Sequence, residues 1–308
     1  MIELEHVTKR YGAACAVADV SLTIGAGEFC AVMGGSGAGK STMLKMINQL
    51  IAHSEGTIRV DGQDVRAMAP AALRRRMGYV IQSIGLFPHW TVARNIGTVP
   101  ELLGWAASQA RDRAAALLEQ LKLPPGEFLD KYPHQLSIGQ QQRVGIARAL
   151  AADQDILLMD EPFGALDPIT RQALQAEIAE IQRASRKTIV FVTHDMDEAL
   201  RLASRIAVMD RSRLVQLGTP IELLTAPKTD FVRNLVGRDD LGIKLLGIAL
   251  VASRMRPGEA APGEPIAATA SLRQALSRMV AEGRDRLPVA GADGAPAGTL
   301  HLGDLLRR

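Results

Sequence analysis

The chain has 308 residues, 47% of them hydrophobic and 22% charged, which is typical of a soluble globular protein with one large and one small domain. The net charge of +3 is too small to indicate a nucleic-acid partner, and the lack of an apolar run of about 18 residues excludes a membrane-spanning helix. The two cysteines, Cys15 and Cys30, have no metal-ligand spacing, so we expect reduced thiols in a cytosolic chain.

The N-terminal stretch predicts three strands, a glycine-rich loop and a helix. Alternating or continuous apolar residues mark the strands at Ile2–Val7, Val20–Ile24 and Phe29–Met33, and amphipathic spacing marks the helix at Ser41–Leu50. The residues between the third strand and the helix match the pattern G-x-x-x-x-G-K-[ST] completely. A flexible glycine-serine linker is the alternative, but the flanking strand and helix favour a phosphate-binding loop.

The chemistry of such a loop assigns a role to each of its residues. Backbone N–H groups at a helix N-terminus attract phosphate, Lys40 adds a positive charge, and the Ser41 hydroxyl is a ligand for Mg²⁺. The expected nucleotide-binding residues are Gly34, Gly35, Ser36, Gly37, Ala38, Gly39, Lys40, Ser41 and Thr42.

Further along the chain, strands and helices alternate, and this pattern predicts a parallel sheet with helices on both faces. A short strand at 77–81 ends on Gln82, and apolar residues then recur at helical spacing over about 88–150, which indicates a helical insertion. Buried strands follow at Ile156–Asp160 and Thr188–Thr193. Helical segments at 219–225 and 229–236 close this domain.

Polar residues stand where three of these strands end, the edge at which open α/β sheets bind ligands. We expect Asp160 and Gln82 to hold Mg²⁺, and Glu161 to act as general base or to orient the attacking water. His194 follows a neighbouring strand and could reach the γ-phosphate. The alternatives are that the two acids cap the next helix and that His194 is structural.

The last part of the chain reads as a linker and a small module. Residues 256–265 are rich in Pro, Gly and Glu, and we place a linker over 237–265. The segment 266–308 predicts a helix and two strands. The expected organisation is therefore a nucleotide-binding domain over 1–236, a linker, and a small α+β module.

The segment Leu136–Arg143, read with Gln82, Glu161–Pro162, Gly164–Asp167 and Thr193–Asp195, closely resembles the ATP-binding subunit of ABC transporters. The resemblance covers residues 1 to about 236. It implies an α/β P-loop NTPase fold with an ABC-type β-subdomain and a helical insertion, and it implies ATP and Mg²⁺ as ligands. It also implies a head-to-tail dimer of two copies that encloses two ATP molecules, each site completed by the second copy.

The same resemblance assigns four more nucleotide-binding residues and a stacking residue. Ser137, Gly139 and Gln140 would face the partner's nucleotide, and Asp167 belongs to the motif that follows Glu161. Tyr11 matches the aromatic residue that stacks on adenine, although a core tyrosine is the alternative.

One position departs from the family pattern, because Ile138 stands where glycine is usual. A helical backbone would tolerate this isoleucine, whereas a positive φ would strain it. We expect weaker ATP-driven dimerisation and lower ATPase activity than in an Ile138→Gly variant.

Residues 81–92, and the particular residues that occupy the family motifs, resemble those of the osmoprotectant branch, whose members import glycine betaine, carnitine or choline. This likeness implies a membrane permease that docks near Gln82–Val92, a solute-binding protein, and a peripheral location on the cytoplasmic face of the plasma membrane. Packing of the apolar residues of 83–92 on the helical insertion is the alternative to docking. The segment 266–308 resembles one cystathionine-β-synthase-type (CBS) module. An importer of another solute, such as an amino acid, or an ABC ATPase without transport remains open.

Overall fold

The computed structural model of the protein describes residues 1–237 and 240–306. The chain divides into two compact units, Met1–Thr219 and Pro220–Arg308, and each is described by itself. Among the described residues, no helix is long and apolar enough to cross a membrane.

The first unit, all of which the structure describes, is built of strands and α-helices. The strands are β1 (Ile2–Tyr11), β2 (Ala14–Ile24), β3 (Phe29–Gly34), β4 (Glu55–Val60), β5 (Gln63–Asp64), β6 (Met77–Val80), β7 (Ile156–Asp160), β8 (Thr188–Val192), β9 (Arg205–Asp210) and β10 (Arg213–Gly218). The helices are α1 (Lys40–Ile47), α2 (Pro70–Arg75), α3 (Val92–Leu102), α4 (Ala107–Gln120), α5 (Pro125–Phe128), α6 (Ile138–Leu150), α7 (Pro168–Ser185) and α8 (Met196–Leu202).

Two sheets organise this unit. An antiparallel sheet has the order β2-β1-β4-β5, and a six-stranded sheet has the order β10-β9-β3-β8-β7-β6. Within the larger sheet, β9, β3, β8, β7 and β6 run parallel, and β10 pairs with β9 in the antiparallel sense. The parallel strands β3, β7 and β8 are buried along their whole length, which explains why they read as continuous apolar runs.

Helix α1 lies in the main core of this unit. Its Leu44 and Met46 are fully buried together with residues of both sheets, such as Ile58 of β4 and Val192 of β8. Both sheets therefore hold the start of α1, and with it the loop between β3 and α1, in a fixed position.

Between β6 and β7 the chain is helical, and this agrees with the helical spacing read from 88–150. Helices α3, α4 and α6 pack on one another through fully buried apolar residues, among them Ile96, Leu118 and Val144. Helix α6 also packs on β6, so the helical segment is attached to the edge strand of the larger sheet.

The described part of the second unit contains helices α9 (Pro220–Thr225), α10 (Asp230–Val236), α11 (Leu241–Ile248) and α12 (Leu272–Glu282), and strands β11 (Arg256–Pro257), β12 (Ile266–Ala267), β13 (Arg286–Ala290) and β14 (Pro296–His301). Its sheet has the order β11-β14-β13-β12. A small separate core includes Val251, Leu272, Leu287 and Leu300. A 3₁₀ turn at Leu302–Leu306 follows β14.

Two sequence expectations differ from this arrangement. The predicted linker 237–265 contains α11 and β11, and β11 pairs with β14. The first unit ends at Thr219 and not at 236, because α9 packs on α11 and α11 packs on α12. The sequence did not reveal these contacts, since α11 has only eight residues with a weak polar-apolar pattern and β11 has only two residues.

Candidate functional site

The loop between β3 and α1 needs glycine at two positions of close backbone approach. Gly34 and Gly39 have φ of 150° and 95°, and a Cβ on either would lie 2.1 Å from a backbone carbonyl oxygen, that of Met209 or Ala16. The positive φ and the close carbonyl oxygen each exclude a residue with a side chain at these two positions. No side chain caps the start of α1 in the described structure, and its first turn carries no acid. The N–H groups of this turn are therefore open to an anion.

Lys40 places its ammonium group over this loop. The side chain is 8% exposed, and Nζ donates hydrogen bonds of 2.9 Å to the carbonyl oxygens of Gly34 and Gly35. Burial lowers the pKa of Lys40, whereas the carboxylates of Glu161 and Asp160 act in the opposite direction. The lysine is a buried cation that a bound phosphate would stabilise.

Ser41 and Asp160 form the pair expected of a Mg²⁺ site. Ser41 Oγ donates a 2.7 Å hydrogen bond to Asp160 Oδ1, and the Asp160 side chain is buried at the end of β7. A hydroxyl and a carboxylate at hydrogen-bond distance are hard oxygen ligands that could share one hydrated cation. The residues present therefore fit Mg²⁺.

Three further strand-end residues meet beside this pair. Gln82 Nε2 donates to Glu161 Oε2 at 3.3 Å, and His194 Nδ1 lies 3.4 Å from the same oxygen. Glu161 has a φ of 47°, an unusual backbone for a residue other than glycine, and its N–H donates to Val192 O on β8. Strained residues of this kind cluster at functional sites.

These residues surround an open cavity of about 470 Å³. It is lined by Ala16, Ser36, Gly37, Ala38, Gly39, Lys40, Ser41, Thr42, Gln82, Glu161 and His194. Sequence reasoning missed Ala16, which lies on β2 and approaches Gly39. No local signal marks it, because its place depends on how β2 packs against the loop.

Five predicted site residues lie elsewhere within the described part of the chain. Tyr11 ends β1 with half of its surface exposed, and Lys9 Nζ stands 4.7 Å from its ring centre, so it is not a core tyrosine. Asp167 caps α7 by accepting hydrogen bonds from the N–H groups of Ile169 and Thr170. The remaining three, Ser137, Gly139 and Gln140, are at the start of α6.

The start of α6 is a capping box. Ser137 Oγ accepts from Gln140 N–H at 3.3 Å, and Gln140 Oε1 accepts from Ser137 N–H at 2.9 Å. Ile138 is the first helical residue, with negative φ and a side chain that is 55% exposed. Of the two backbones considered for Ile138, the structure has the helical one, so this residue is not strained.

The segment 83–92 is fastened to the helical region by two polar side chains. Asn95 is fully buried and bonds the backbone of Phe87, Trp90 and Thr91. Arg148 donates to the carbonyl oxygens of Ile84 and Gly85. Of its apolar residues, Phe87 is exposed, and Ile84, Leu86 and Trp90 are half-buried against their own unit.

Comparison with known proteins identifies the family. Residues 17–164 match the family described as ABC transporter. The chain is 54% identical, over 306 residues, to the glycine betaine uptake system ATP-binding protein YehX of Escherichia coli (strain K12), with 99% of each chain covered. This chain belongs to the ABC transporter ATP-binding family. Members of the family are ATPases.

Other relatives share the first part of the chain. The glycine betaine/carnitine/choline transport ATP-binding protein OpuCA of Bacillus subtilis (strain 168) is 52% identical over 242 residues, which is 78% of this chain and 63% of that relative. Among solved structures, the dimeric structure of MJ0796, a bacterial ABC transporter cassette, matches 71% of this chain with a TM-score of 0.66 and 35% identity. A post-hydrolysis dimer of the same cassette, bound to ADP and Pi, matches with a TM-score of 0.65 and 34% identity. The ABC ATPase fold and ATP binding follow from these matches.

Proposed function

We propose that the protein is the ATP-hydrolysing subunit of an importer for a quaternary amine osmoprotectant such as glycine betaine, choline or carnitine. The observation that carries this proposal is the match to YehX, a glycine betaine uptake ATP-binding protein, at 54% identity over 99% of both chains. The relative from Bacillus subtilis, named for glycine betaine, carnitine and choline, supports the same class of solute.

The loop and α1 would bind the phosphates of ATP. Residues Gly34–Thr42 offer backbone N–H groups and the buried Lys40 cation, which together suit the β- and γ-phosphates. Ser41, Asp160 and Gln82 would hold Mg²⁺. When bound, Mg²⁺ neutralises phosphate charge.

Glu161 is the proposed general base for hydrolysis. The oxygen of a water molecule attacks the γ-phosphorus, the bond from this phosphorus to the bridging oxygen breaks, and the proton of the water passes to the Glu161 carboxylate. His194 and Gln82 both lie within 3.4 Å of Glu161 Oε2, so they would orient this carboxylate towards the cavity.

A second copy of the chain would complete each site. Ser137, Gly139 and Gln140 do not line the cavity of their own chain among the described residues, although the N-terminus of α6 can accept an anion. Asp167 would lie at the same interface, and Tyr11, exposed at the end of β1, would stack on adenine. The dimeric cassette structure supports a dimer, for which we propose the head-to-tail arrangement.

The permease subunits would dock near Gln82–Val92, where Phe87 is exposed on a segment fixed by Asn95 and Arg148. We place the protein on the cytoplasmic face of the plasma membrane, with a solute-binding protein as an indirect partner. We retain the interpretation of 266–308 as a single CBS-like module, for which the described part of the second unit offers α12 and a small sheet of short strands.

Uptake of labelled solute tests the transport proposal. Cells that carry the wild-type gene should accumulate labelled glycine betaine or choline at high osmolarity, and cells with Lys40→Ala should not, because this variant lacks the phosphate-binding cation. Uptake of an amino acid instead would indicate an importer of another solute. Equal uptake in both strains for every solute tested would indicate an ABC ATPase without transport.

The Glu161→Gln variant tests the site. It keeps the size of the side chain and the hydrogen bond to Gln82 but cannot take the proton, so it should bind ATP, stop hydrolysis and accumulate as a dimer. A variant that stays monomeric at saturating Mg-ATP would contradict the dimer, and one that hydrolyses ATP normally would contradict the role of Glu161.

A further inference from the structure

A buried polar network adjoins Glu161 and His194, two residues of the proposed catalytic site. Glu198 of α8 is 6% exposed, and its Oε2 accepts a 2.6 Å hydrogen bond from the Thr193 hydroxyl. Thr193 Oγ1 also accepts from the N–H of Asp195, so this threonine holds the backbone on both sides of His194. Gln175 of α7 donates to the other oxygen of Glu198. The backbone that carries His194 is therefore tied to Glu198 through Thr193.

Arg171 of α7 reaches two loops at once. Its Nη2 donates a 3.0 Å hydrogen bond to the carbonyl of Leu166, in the turn that follows Glu161. Its Nη1 lies 3.7 Å from Asp195 Oδ2, and its Nε lies 3.9 Å from Glu198 Oε1. One guanidinium thus connects the loop after β7 with the loop after β8.

The contact between Arg171 and Glu198 is not closed in this structure. Arg171 Nε is buried and has no hydrogen-bond partner among the described residues, although the Glu198 carboxylate stands less than an ångström beyond hydrogen-bond range. An unpaired buried donor costs free energy, which a small approach of the two groups would recover. Arg171 and Glu198 therefore lie close enough for a small movement to pair them.

We propose that Arg171, Glu198 and Thr193 form a clamp that sets the distance between His194 and Glu161. This inference rests on the proposed roles of Glu161 and His194. The three clamp residues are positioning residues. None of them is among the described residues that line the cavity beside the Gly34–Thr42 loop, and they would act on the reacting groups through His194 and the 164–167 turn. Glu161, His194 and the clamp residues surround a small cavity, together with Gly164 and Asp195.

If the clamp has this role, its loss should lower the rate of ATP hydrolysis without changing the affinity for ATP. The phosphate loop lies on β3 and α1, and α1 is held by the main core, so loss of Arg171 should leave the affinity for ATP unchanged. The reacting groups would lose their fixed spacing, and a displacement of about 1 Å costs up to about a hundredfold in rate.

The experiment compares Arg171→Met with Arg183→Met in the full-length protein. Arg183 lies on the same helix, is exposed, and bonds only the carbonyl of Ala179 in its own helix among its described contacts. Arg171→Met should lower kcat about tenfold to a hundredfold with unchanged ATP affinity by calorimetry. Arg183→Met should match the wild type in both. An unchanged kcat, or a loss of kcat that is matched by an equal loss of ATP affinity, would overturn the clamp.

Two further variants, Glu198→Gln and Glu161→Gln, separate a failure of the clamp from poor folding and from a failure of the proposed site. Glu198→Gln keeps an acceptor for Thr193 and removes the charge that faces Arg171. The double variant with Arg171→Met should have a kcat no lower than that of the less active single variant, because both changes act on one contact. Independent, additive effects would overturn the clamp even if one single variant folds poorly. Glu161→Gln is measured alongside. If Glu161→Gln is inactive while Arg171→Met has a normal kcat, only the clamp proposal fails. If Glu161→Gln hydrolyses ATP normally, the proposed site fails, and with it the clamp that rests on this site.

Discussion

The hydroxyl of Ser41 donates a 2.7 Å hydrogen bond to Asp160 Oδ1, and this bond joins the first turn of α1 to the end of β7. The two residues are 119 positions apart in the chain. Asp160 also acts on Lys40, since its carboxylate opposes the fall in the lysine pKa that burial causes. One carboxylate therefore bonds the hydroxyl that would bind the metal ion and acts electrostatically on the lysine that would bind the phosphates.

The Asp160→Asn variant should lose Mg²⁺-dependent affinity and keep metal-free binding. Asparagine retains an oxygen for the Ser41 hydroxyl but has no charge for the cation, and comparable changes near a metal cost about tenfold to a hundredfold in affinity. Calorimetry with ATP, once with Mg²⁺ and once with a chelator, checks this. A loss of affinity that is equal in both conditions would show that Asp160 supports the loop and not the metal ion.

The Ile138→Gly variant should dimerise more strongly with ATP and hydrolyse it faster. Ile138 has an unstrained helical backbone and an exposed side chain, so its effect would come from volume at the partner's nucleotide and not from strain. The ATPase rate is measured in the otherwise unchanged protein, and the dimer fraction in the Glu161→Gln background at saturating Mg-ATP. Equal values with isoleucine and with glycine at this position would refute the expectation.

A methyl group added at the neighbouring Gly139 should destabilise the protein. A Cβ on Gly139 would lie 2.8 Å from Thr170 Cγ2, so Gly139→Ala should destabilise the protein by about 1–3 kcal/mol. Thr170→Ser removes this methyl group and keeps the hydroxyl, and the double variant should regain most of the loss. Urea denaturation of the four proteins measures both effects. A double variant as unstable as Gly139→Ala would contradict the steric cause.

The two cysteines should differ in reactivity. Cys30 is fully buried in β3, and burial raises the pKa of its thiol to about 12, whereas Cys15 is half-buried. A thiol reagent such as Ellman's reagent should therefore modify one cysteine in the folded protein and two in guanidinium. Cys15→Ser should abolish the reaction of the folded protein. Rapid reaction of Cys30 in that variant would contradict its burial.

Glu198 should make the stability depend on pH. Burial raises the pKa of its carboxyl, while the Thr193 hydrogen bond and the Arg171 charge act against this rise. The folded state then holds the proton more tightly than the unfolded state, whose glutamate titrates at about pH 4.3. The contribution of Glu198 to the free energy of unfolding is therefore largest below that pH and falls as the pH rises through the folded pKa.

The comparison of Glu198→Gln with the wild type isolates this effect. The free energy of unfolding of the variant, minus that of the wild type, should increase with pH above about 4.3 and level off above the folded pKa. Urea denaturation at a series of pH values measures it. Glu180→Gln, an exposed position on α7, controls for the loss of a negative charge. A difference that does not change with pH would exclude the expected titration.

The order of elements could be predicted from the sequence because it rests on local signals, whereas the ABC ATPase fold and the family came from the resemblance of Leu136–Arg143 and the motifs read with it. Continuous apolar runs mark the buried parallel strands, and the glycine pattern of the 34–41 loop needs only its flanking strand and helix. The meeting of Gln82, Asp160, Glu161 and His194 was also predictable, since parallel strands bring their carboxyl ends to one edge of the sheet.

Tertiary structure alone decided the features that depend on packing between distant elements. Ala16 lines the cavity because β2 approaches Gly39, and Arg171 connects two loops because α7 packs on α8 and carries Arg171 within reach of Leu166. It also showed that Ile138 has a helical backbone and that the segment after 237 contains α11 and β11. Periodicity reports which face of an element is apolar, but it does not report which side chain of another element lies against that face.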